Sequence, residues 1–166
     1  LARLAQIITA ATAAFDVYDY ATARGEIETF FWHDLADNYL EMANKRLYDA
    51  AEGYDAARFT LYHALLATIK LLAPLLPYVT DAIYRGLFAA TDGASSVHRA
   101  AWPQADPRFD DAASLSAGDA LLDIATAVRR FKSERNLSPG AELAALHLAA
   151  TPQLTAALHE AAVDLL

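Results

Sequence analysis

The sequence contains no cysteine, which excludes disulfide bonds and cysteine-based metal sites and is typical of a reducing, cytoplasmic setting. Glycine and proline occur only six times each and lie between the periodic segments, which favours helices over a sandwich or barrel. No apolar run approaches the roughly 20 residues that span a bilayer, so we expect no membrane association. The chain also lacks an initiator methionine and a signal-peptide layout, and we interpret it as a piece of a longer protein.

Positive charge is also in short supply. Lysine and arginine number 13 against 21 aspartates and glutamates, which gives a net charge of −8. Such a balance argues against a general nucleic-acid binder, and no DNA partner is expected. A local basic face can still exist within an acidic protein, so the distribution of the cations matters more than their sum.

Apolar side chains are plentiful, at 55% of the sequence, and recur at helical steps of three and four through the first 90 residues. The pattern predicts a helix from Leu4 to Tyr18, a long one that Asp19 caps and that ends near Gly53, and a third capped by Asp55. The predicted inward faces are Leu4, Ile8, Ala11, Phe15 and Tyr18; then Ile27, Phe31, Leu35, Tyr39 and Met42; then Phe59, Tyr62, Leu66, Ile69 and Leu72.

Two prolines separate the third helix from a fourth. Pro74 and Pro77 lack the amide hydrogen that a helix interior needs, so a new helix is expected from Val79 to Ala90. The run 69–76 is apolar nearly all round, which predicts burial on every side.

Helical periodicity is lost over 91–116 and returns in a fifth helix with Leu121, Ile124, Val128 and Phe131 on one face. A turn over 136–140 follows. Residues 141–149 alternate in a way compatible with a strand or a short helix; we favour the strand, although a lone strand needs a partner. Thr151 and Pro152 then supply the cap and first position of a last helix.

The predicted fold is therefore all-α. It consists of a helical bundle over 1–90, a connector over 91–116, and a helix with a small C-terminal appendage over 117–166.

Residues for catalysis or metal binding do not come together in the sequence. The glycines are too isolated to form a phosphate-cradling loop. Asp34, Asp37 and Glu41 share a helix face but lack the Glu-x-x-His motifs of a carboxylate metal site. We expect no catalytic residue, no metal and no cofactor in this chain. The histidines share no ligand spacing: His33, His63, His98, His147 and His159.

Two short basic clusters remain. By spacing alone, a solvated helix face is the favoured interpretation, yet a positive stripe in a negative protein is what binding to a phosphate backbone requires. The first cluster comprises Lys45 and Arg46, with Tyr48 beside them. The second comprises Arg129, Arg130, Lys132 and Arg135, interrupted only by Glu134, so that four cations against one anion give a local charge of +3.

Four segments carry a specific pattern, in order, over about residues 1–140. The first is Phe30-Phe31-Trp32-His33-Asp34 with Asp37-Asn38-Tyr39-Leu40-Glu41 and Lys45-Arg46-Leu47-Tyr48. The others are Lys70 to Thr80, Ser96-Val97-His98 with Trp102-Pro103, and Val128-Arg129-Arg130-Phe131-Lys132-Ser133-Glu134. Together they resemble the anticodon-binding domain of valyl-tRNA synthetases. The sequence departs from that family at Asn44, where lysine is usual, and at Asp81-Ala82-Ile83-Tyr84, where Glu-Glu-Ile-Trp is usual.

The resemblance implies one domain of a class I ligase that joins valine to its tRNA with ATP and magnesium. The ATP-site signatures of that family are absent, so the chain is expected to be inactive without its catalytic domain. The implied task is to grip the anticodon stem and loop, whose splayed bases stack on aromatic or guanidinium planes. The residues proposed to contact tRNA are Lys45, Arg46, Tyr48, Arg129, Arg130, Lys132 and Arg135.

Other residues of the four segments have structural interpretations. Core packing is favoured over base stacking for Trp32 and Tyr39. Lys70 to Val79 is interpreted as core and kink, and His98 and Trp102 as residues that pin the connector to the bundle.

Two alternatives stay open. Isoleucyl and leucyl enzymes share the bundle and a similar proline-containing segment, so the domain could belong to one of them. A helical protein-interaction scaffold without RNA binding is the alternative of another class.

Overall fold

The computed structural model describes residues 1–48, 53–138 and 140–160, without the side chains of Lys45 and Glu160. It divides into two compact units, Leu1–Asp110 and Asp111–Leu166. The described residues are mainly helical and contain no strand, which confirms the all-α prediction. None of the helices in this part of the chain combines the length and hydropathy that a membrane span requires.

The described residues of the first unit form six α-helices and a π-helical segment. Two short 3₁₀ turns follow, at Val97–Arg99 and Pro107–Phe109. The helices are α1 (Ala2–Asp16), α2 (Tyr20–Thr29), the π segment (Phe30–Tyr39), α3 (Leu40–Tyr48), α4 (Tyr54–Leu72), α5 (Pro77–Leu87) and α6 (Ala89–Asp92).

Helix α1 forms where the spacing predicted, with Leu4, Ile8 and Ala11 buried. The prediction that Tyr18 belongs to this face is wrong, because the helix ends at Asp16 and Tyr18 turns the chain with a positive φ of 60°. The capping prediction for Asp19 is confirmed. Its carboxylate accepts a hydrogen bond from the amide of Thr22 at 3.1 Å.

Helix α4 begins differently from the prediction. Gly53 occupies the cap position with a φ of 85°, a conformation that glycine adopts without steric cost. Asp55 therefore lies inside the first turn, where its negative charge interacts favourably with the helix dipole but its side chain does not cap the helix. Phe59, predicted to face inward, is exposed.

The prolines end α4 as expected. Helix α4 stops at Leu72, and α5 starts at Pro77 itself, two residues before the predicted start, because a first-turn proline loses no hydrogen bond. Burial on every side over 69–76 is only partly right, since Leu71 is fully buried whereas Leu76 is 47% exposed.

Two apolar clusters hold this unit together. One joins α1, α2, the π segment and α4; the other joins α4 and α5 with Phe88 and Val97. The first includes Leu4, Ile8, Ala11, Ile27, Phe30, Leu35, Ala64 and Leu71. The second includes Leu66, Ile69, Ala73, Tyr84, Phe88 and Val97.

The second unit consists of α7 (Ala112–Glu134), an irregular segment and α8 (Pro152–Glu160). Asp111 caps α7 through the amide of Ala113 at 2.9 Å, so the helix begins before its predicted start. The strand favoured over 141–149 does not form: this segment is irregular, and no described residue pairs with it. Thr151 caps α8 as predicted, accepting from the amide of Leu154 at 3.4 Å.

Candidate nucleic-acid interface

The long helix from Tyr20 to Tyr48 changes its winding in the middle. Between Phe30 and Tyr39 it is a π-helix, in which each amide bonds to the carbonyl five residues back. Phe30 and Leu35, five residues apart, therefore both point into the core. The 3.6-residue period predicted Phe31 on this face, and Phe31 is half-buried against the same cluster; the wider turns add Phe30, which the period did not predict, as a buried position.

The π segment brings Trp32 to the surface. Its side chain is 58% exposed and meets only the edge of the Phe31 ring among the described aromatic side chains, at 4.9 Å between centroids. The packing interpretation is therefore wrong for Trp32. It holds for Tyr39, which packs against the first apolar cluster and donates its hydroxyl to the carbonyl oxygen of Ala57 at 3.2 Å.

The first basic cluster lies on α3, just after the π segment. Tyr48 is 85% exposed, so one face of its ring is open to a stacking partner. The half-buried Arg46 side chain lies against the start of α4: a Cβ added at Gly53 would be 2.8 Å from Arg46 Nη1. Lys45 is helical, but its side chain lies outside the described atoms.

The second basic cluster lies in the other unit, at the C-terminal end of α7. At about 100° of rotation per residue, its cations spread around the helix instead of forming one narrow stripe. Arg129 and Arg130 are exposed on the outside. Lys132 is half-buried at the edge of an apolar groove of about 890 Å³ between α7 and α8. Arg135 extends past the last turn, with its guanidinium 5.1 Å from the centre of the Phe131 ring.

Arg130 is engaged with an acid of its own helix. Its Nε donates to Glu134 Oε1 at 2.9 Å, and both side chains are largely exposed. Exposed pairs of this kind contribute only about 0.2–1 kcal/mol, so a phosphate can compete with Glu134 for the guanidinium. The position at the helix end is favourable to cations in its own right, because the backbone dipole there is negative.

The segment around Lys70 serves the fold. The Lys70 ammonium lies 2.9 Å from Asp92, which also accepts a hydrogen bond from the hydroxyl of the fully buried Tyr84. Burial and the hydrogen bond to Asp92 raise the pKa of Tyr84 to about 12. Burial alone would raise the pKa of Asp92, but the hydrogen bonds from Tyr84 and Lys70 and the Lys70 charge lower it below its usual value.

A second tie joins α5 to the following loop. Asp81 Oδ1 accepts from the Ser96 hydroxyl at 2.6 Å and from the Val97 amide at 3.0 Å, and Arg85 lies 2.7 Å from the other oxygen. The hydrogen bond from Ser96 is the main reason that the pKa of Asp81 is lowered. His98 Nε2 lies 3.1 Å from the carbonyl oxygen of Pro77.

Trp102 fastens the connector to α1. Its indole N–H donates to Thr12 Oγ1 at 2.8 Å, and its ring meets Phe15 edge-on at 5.5 Å. The predicted role of His98 and Trp102 as pins between connector and bundle is confirmed. The partners Thr12, Asp81 and Asp92 were not predicted, because no local sequence pattern marks a contact made over 15 to 90 positions.

Comparison with known proteins gives a consistent result. A family described as "Anticodon-binding domain of tRNA ligase" matches residues 1–148. The valine–tRNA ligase of Thermococcus kodakarensis is 38% identical over 145 residues, which cover 86% of this chain and 16% of that protein. The valine–tRNA ligase of Methanopyrus kandleri is 41% identical over 133 residues, covering 78% of the chain and 14% of that protein.

A bacterial relative matches a similar share of both chains. The valine–tRNA ligase of Wolbachia pipientis is 35% identical over 139 residues, covering 83% of the chain and 16% of that protein. The chain thus spans less than a fifth of the length of these curated relatives.

Proposed function

This chain belongs to the family of anticodon-binding domains of tRNA ligases, and we propose that it binds the anticodon stem and loop of valine tRNA as one domain of a valine–tRNA ligase. The observation that carries the proposal is the family match over residues 1–148 together with valine–tRNA ligases as relatives in archaea and bacteria. The geometry of the two basic clusters gives the proposal a physical mechanism.

The cations would act on the phosphates of the stem and loop. Lysine and arginine side chains that neutralise phosphates release condensed counterions, which supplies most of the sequence-independent affinity for nucleic acid. Arg46 supports this role because its side chain is held against the start of α4 and loses less freedom on binding. Arg129, Arg130, Lys132 and Arg135 offer further contacts from the second unit.

Exposed aromatic rings would act on the bases. An anticodon loop is single-stranded, and its unstacked bases bind aromatic faces with little dependence on sequence. Tyr48 is the ring best placed for this, since it is exposed and close in sequence to Lys45 and Arg46. Such stacking contributes about 1–3 kcal/mol per base.

Ligation itself would belong to another part of the longer protein. ATP and magnesium would supply the activating chemistry there, but the residues of this chain do not fit them: the sequence offers no phosphate-cradling glycine loop. Among the described residues, no group of three or more carboxylates and histidines is arranged to hold a metal ion. We therefore derive no catalytic step from this chain.

Salt dependence is the test of binding. A fluorescently labelled anticodon stem-loop of valine tRNA is titrated with the 166-residue chain, and anisotropy is followed at several salt concentrations. Binding through phosphates gives a linear fall of log K with log salt, with a slope of about −0.7 to −0.9 per neutralised phosphate. Affinity that is undetectable, or that ignores salt, would instead support the protein-interaction scaffold.

Charge reversal assigns the surface. Arg129→Glu with Arg130→Glu should weaken binding and reduce the magnitude of the log–log slope by about 1.4–1.8, which corresponds to two lost phosphate contacts. The matched control exchanges the ion pair, Arg130→Glu with Glu134→Arg, and so keeps the charge of the helix end. It should bind nearly as the parent does.

Circular dichroism of both variants verifies that α7 is intact. Parent-like affinity and slope in the doubly reversed variant would reject the assignment of this surface to tRNA, whatever the family of the chain.

A further inference from the structure

Helix α5 turns an entirely apolar face to the solvent. Two rows of residues spaced four apart run along it, and all six members are exposed. Tyr78 is 90% exposed and Leu87 is 70% exposed, values that are unusual for side chains of this size. One row is Tyr78, Ala82 and Gly86; the other is Val79, Ile83 and Leu87.

The opposite face of the same helix already packs against the rest of its own unit. Thr80 and Tyr84 point inward and are buried, and Asp81 is tied to Ser96 and Arg85. The outward rows are therefore not needed to attach α5 to its own unit. Near Leu87 they continue into a groove of about 500 Å³ lined by Leu61, Leu65 and Phe59, among others.

The shape of the face fits another helix. Rows of side chains four residues apart form ridges, and the space between two such rows accepts a ridge of a packing helix. Ala82 and Gly86 carry little bulk, and an added Cβ at Gly86 would meet nothing within 4 Å, so a partner backbone can approach closely there. Val79, Ile83 and Leu87 stand beside this low row and would interdigitate with the partner.

The charges around the face argue against RNA as the occupant. Arg85 is the one cation on α5, and it is paired with Asp81 at 2.7 Å. The adjoining groove adds one cation, Arg58, and one anion, Asp55, so the surroundings carry no net positive charge that would offset the burial of a polyanion. An apolar protein surface is the partner that this chemistry favours.

The size of the face argues against a second copy of the chain. Its six residues offer several hundred Å², whereas a stable association of separate molecules buries about 800 Å² on each partner. A segment of the same polypeptide needs less area, because it is held nearby at a high effective concentration. The relatives are about six times longer than the region they share with this chain, so such a segment is available in proteins of this kind.

We propose that the apolar face of α5 is the docking surface for an amphipathic helix contributed by another part of the longer ligase polypeptide. The inference rests on the proposed function, in which this chain is one domain of a longer ligase. It concerns a surface separate in sequence from both basic clusters.

Thiol labelling tests the proposal. Because the 166-residue sequence has no cysteine, Ala82→Cys introduces a single reactive group in the middle of the face. Its rate of reaction with a maleimide is measured in the 166-residue chain and, by peptide mass spectrometry, in the full-length polypeptide that contains it. We expect rapid labelling in the first and labelling at least about tenfold slower in the second.

A second substitution controls for other causes of slow labelling. Adding Ile83→Glu places a charge in the docking face, so labelling of Cys at position 82 in the full-length polypeptide should return to the rapid rate. Ile83→Glu alone in the 166-residue chain should leave the helix content unchanged, because the side chain is already 39% exposed.

Three results would overturn the proposal. Equal rapid labelling in both proteins would mean that nothing covers the face. Protection in the 166-residue chain that grows with its concentration would mean a second copy, and protection independent of concentration would mean the second unit of the same chain. The proposed function is read separately, from valine charging: a full-length protein that protects position 82 but does not charge valine tRNA would refute that function alone.

Discussion

The Lys70–Asp92 pair is the best place to test how this bundle is held together. It links α4 to α6, and Tyr84 of α5 donates a third contact to the same carboxylate. Asp92→Asn keeps the shape of the side chain but removes its charge. The Lys70 ammonium would then lose the charged carboxylate that lies 2.9 Å away.

The expected cost follows from burial. The side chains of Lys70 and Asp92 are only 11% and 17% exposed, so water compensates little for the lost charge. Removing one partner of a fully buried ion pair costs about 3–5 kcal/mol, and the residual exposure here reduces the expected value to about 2–3 kcal/mol. For a unit of this size that corresponds to a fall of roughly 9–13 °C in melting temperature.

Tryptophan fluorescence reports on the correct unit. Trp32 and Trp102 are the only tryptophans in the sequence, and both belong to Leu1–Asp110. Urea unfolding at neutral pH, followed by this signal, gives the loss of stability. Lys70→Met with Asp92→Asn is the matched control: it removes both charges and should recover much of the loss.

The pH dependence adds an independent readout. Because the folded-state pKa of Asp92 lies below its ordinary value of 3.8, the unfolded chain binds its proton first as the pH falls. The stabilisation is therefore complete above the ordinary pKa and is lost as the pH falls through the folded-state value. Asp92→Asn should flatten the acid limb of the stability curve. A variant within about 0.5 kcal/mol of the parent, with an unchanged acid limb, would refute this account of the pair.

Two further substitutions test local geometry by urea unfolding, followed by circular dichroism because one of them removes the Trp102 fluorophore. Trp102→Phe keeps an aromatic ring beside Phe15 but loses the hydrogen bond to Thr12, so it should cost about 1 kcal/mol; no change would mean that the bond contributes nothing. Gly53→Ala forces an alanine to a φ of 85° and brings its Cβ within 2.8 Å of Arg46 Nη1, so it should cost at least about 1 kcal/mol and displace Arg46. If this variant binds the stem-loop more weakly than the parent, and a control variant of equal stability binds it as the parent does, Arg46 contributes to the contact.

The sequence predicted the helices well wherever one local rule decided them. Asp19 and Thr151 cap helices as expected, because an N-cap depends on a side chain and an amide two or three residues away. Periodicity failed where the backbone departed from 3.6 residues per turn. The π segment buried Phe30 beside the half-buried Phe31 and left Trp32 in solvent, and no rule based on an α-helical period could have placed Phe30 and Trp32.

The strand expected over 141–149 failed for a different reason. Alternating side chains indicate that a segment has two different faces. They form a strand only when another strand supplies the backbone hydrogen bonds. No described residue does so, and the segment runs without regular structure beside α7 and α8.

The sequence could indicate which residues are candidates for contact with RNA, but not how their side chains are arranged on the surface. Sequence spacing identified the excess of cations on α7 and allowed an i,i+4 pair between Arg130 and Glu134, but it could not show that this pair forms or that Lys132 lies half-buried beside a groove. These are properties of side-chain conformation and of the α7–α8 contact. The exposure of the apolar residues on α5 could not be predicted either. A helix with one buried and one exposed apolar face has the same sequence pattern as a helix that is buried on both sides.

A net charge of −8 does not prevent such a protein from binding RNA, because charge acts over a limited distance. At physiological ionic strength the screening length is about 8 Å, so carboxylates farther than that from a phosphate repel it only weakly. Cations in direct contact keep their full effect, since little solvent lies between them and the phosphate. Under the proposed function, an RNA that met the acidic remainder of the surface would face carboxylates at short range, so the same charge balance disfavours docking away from the basic clusters.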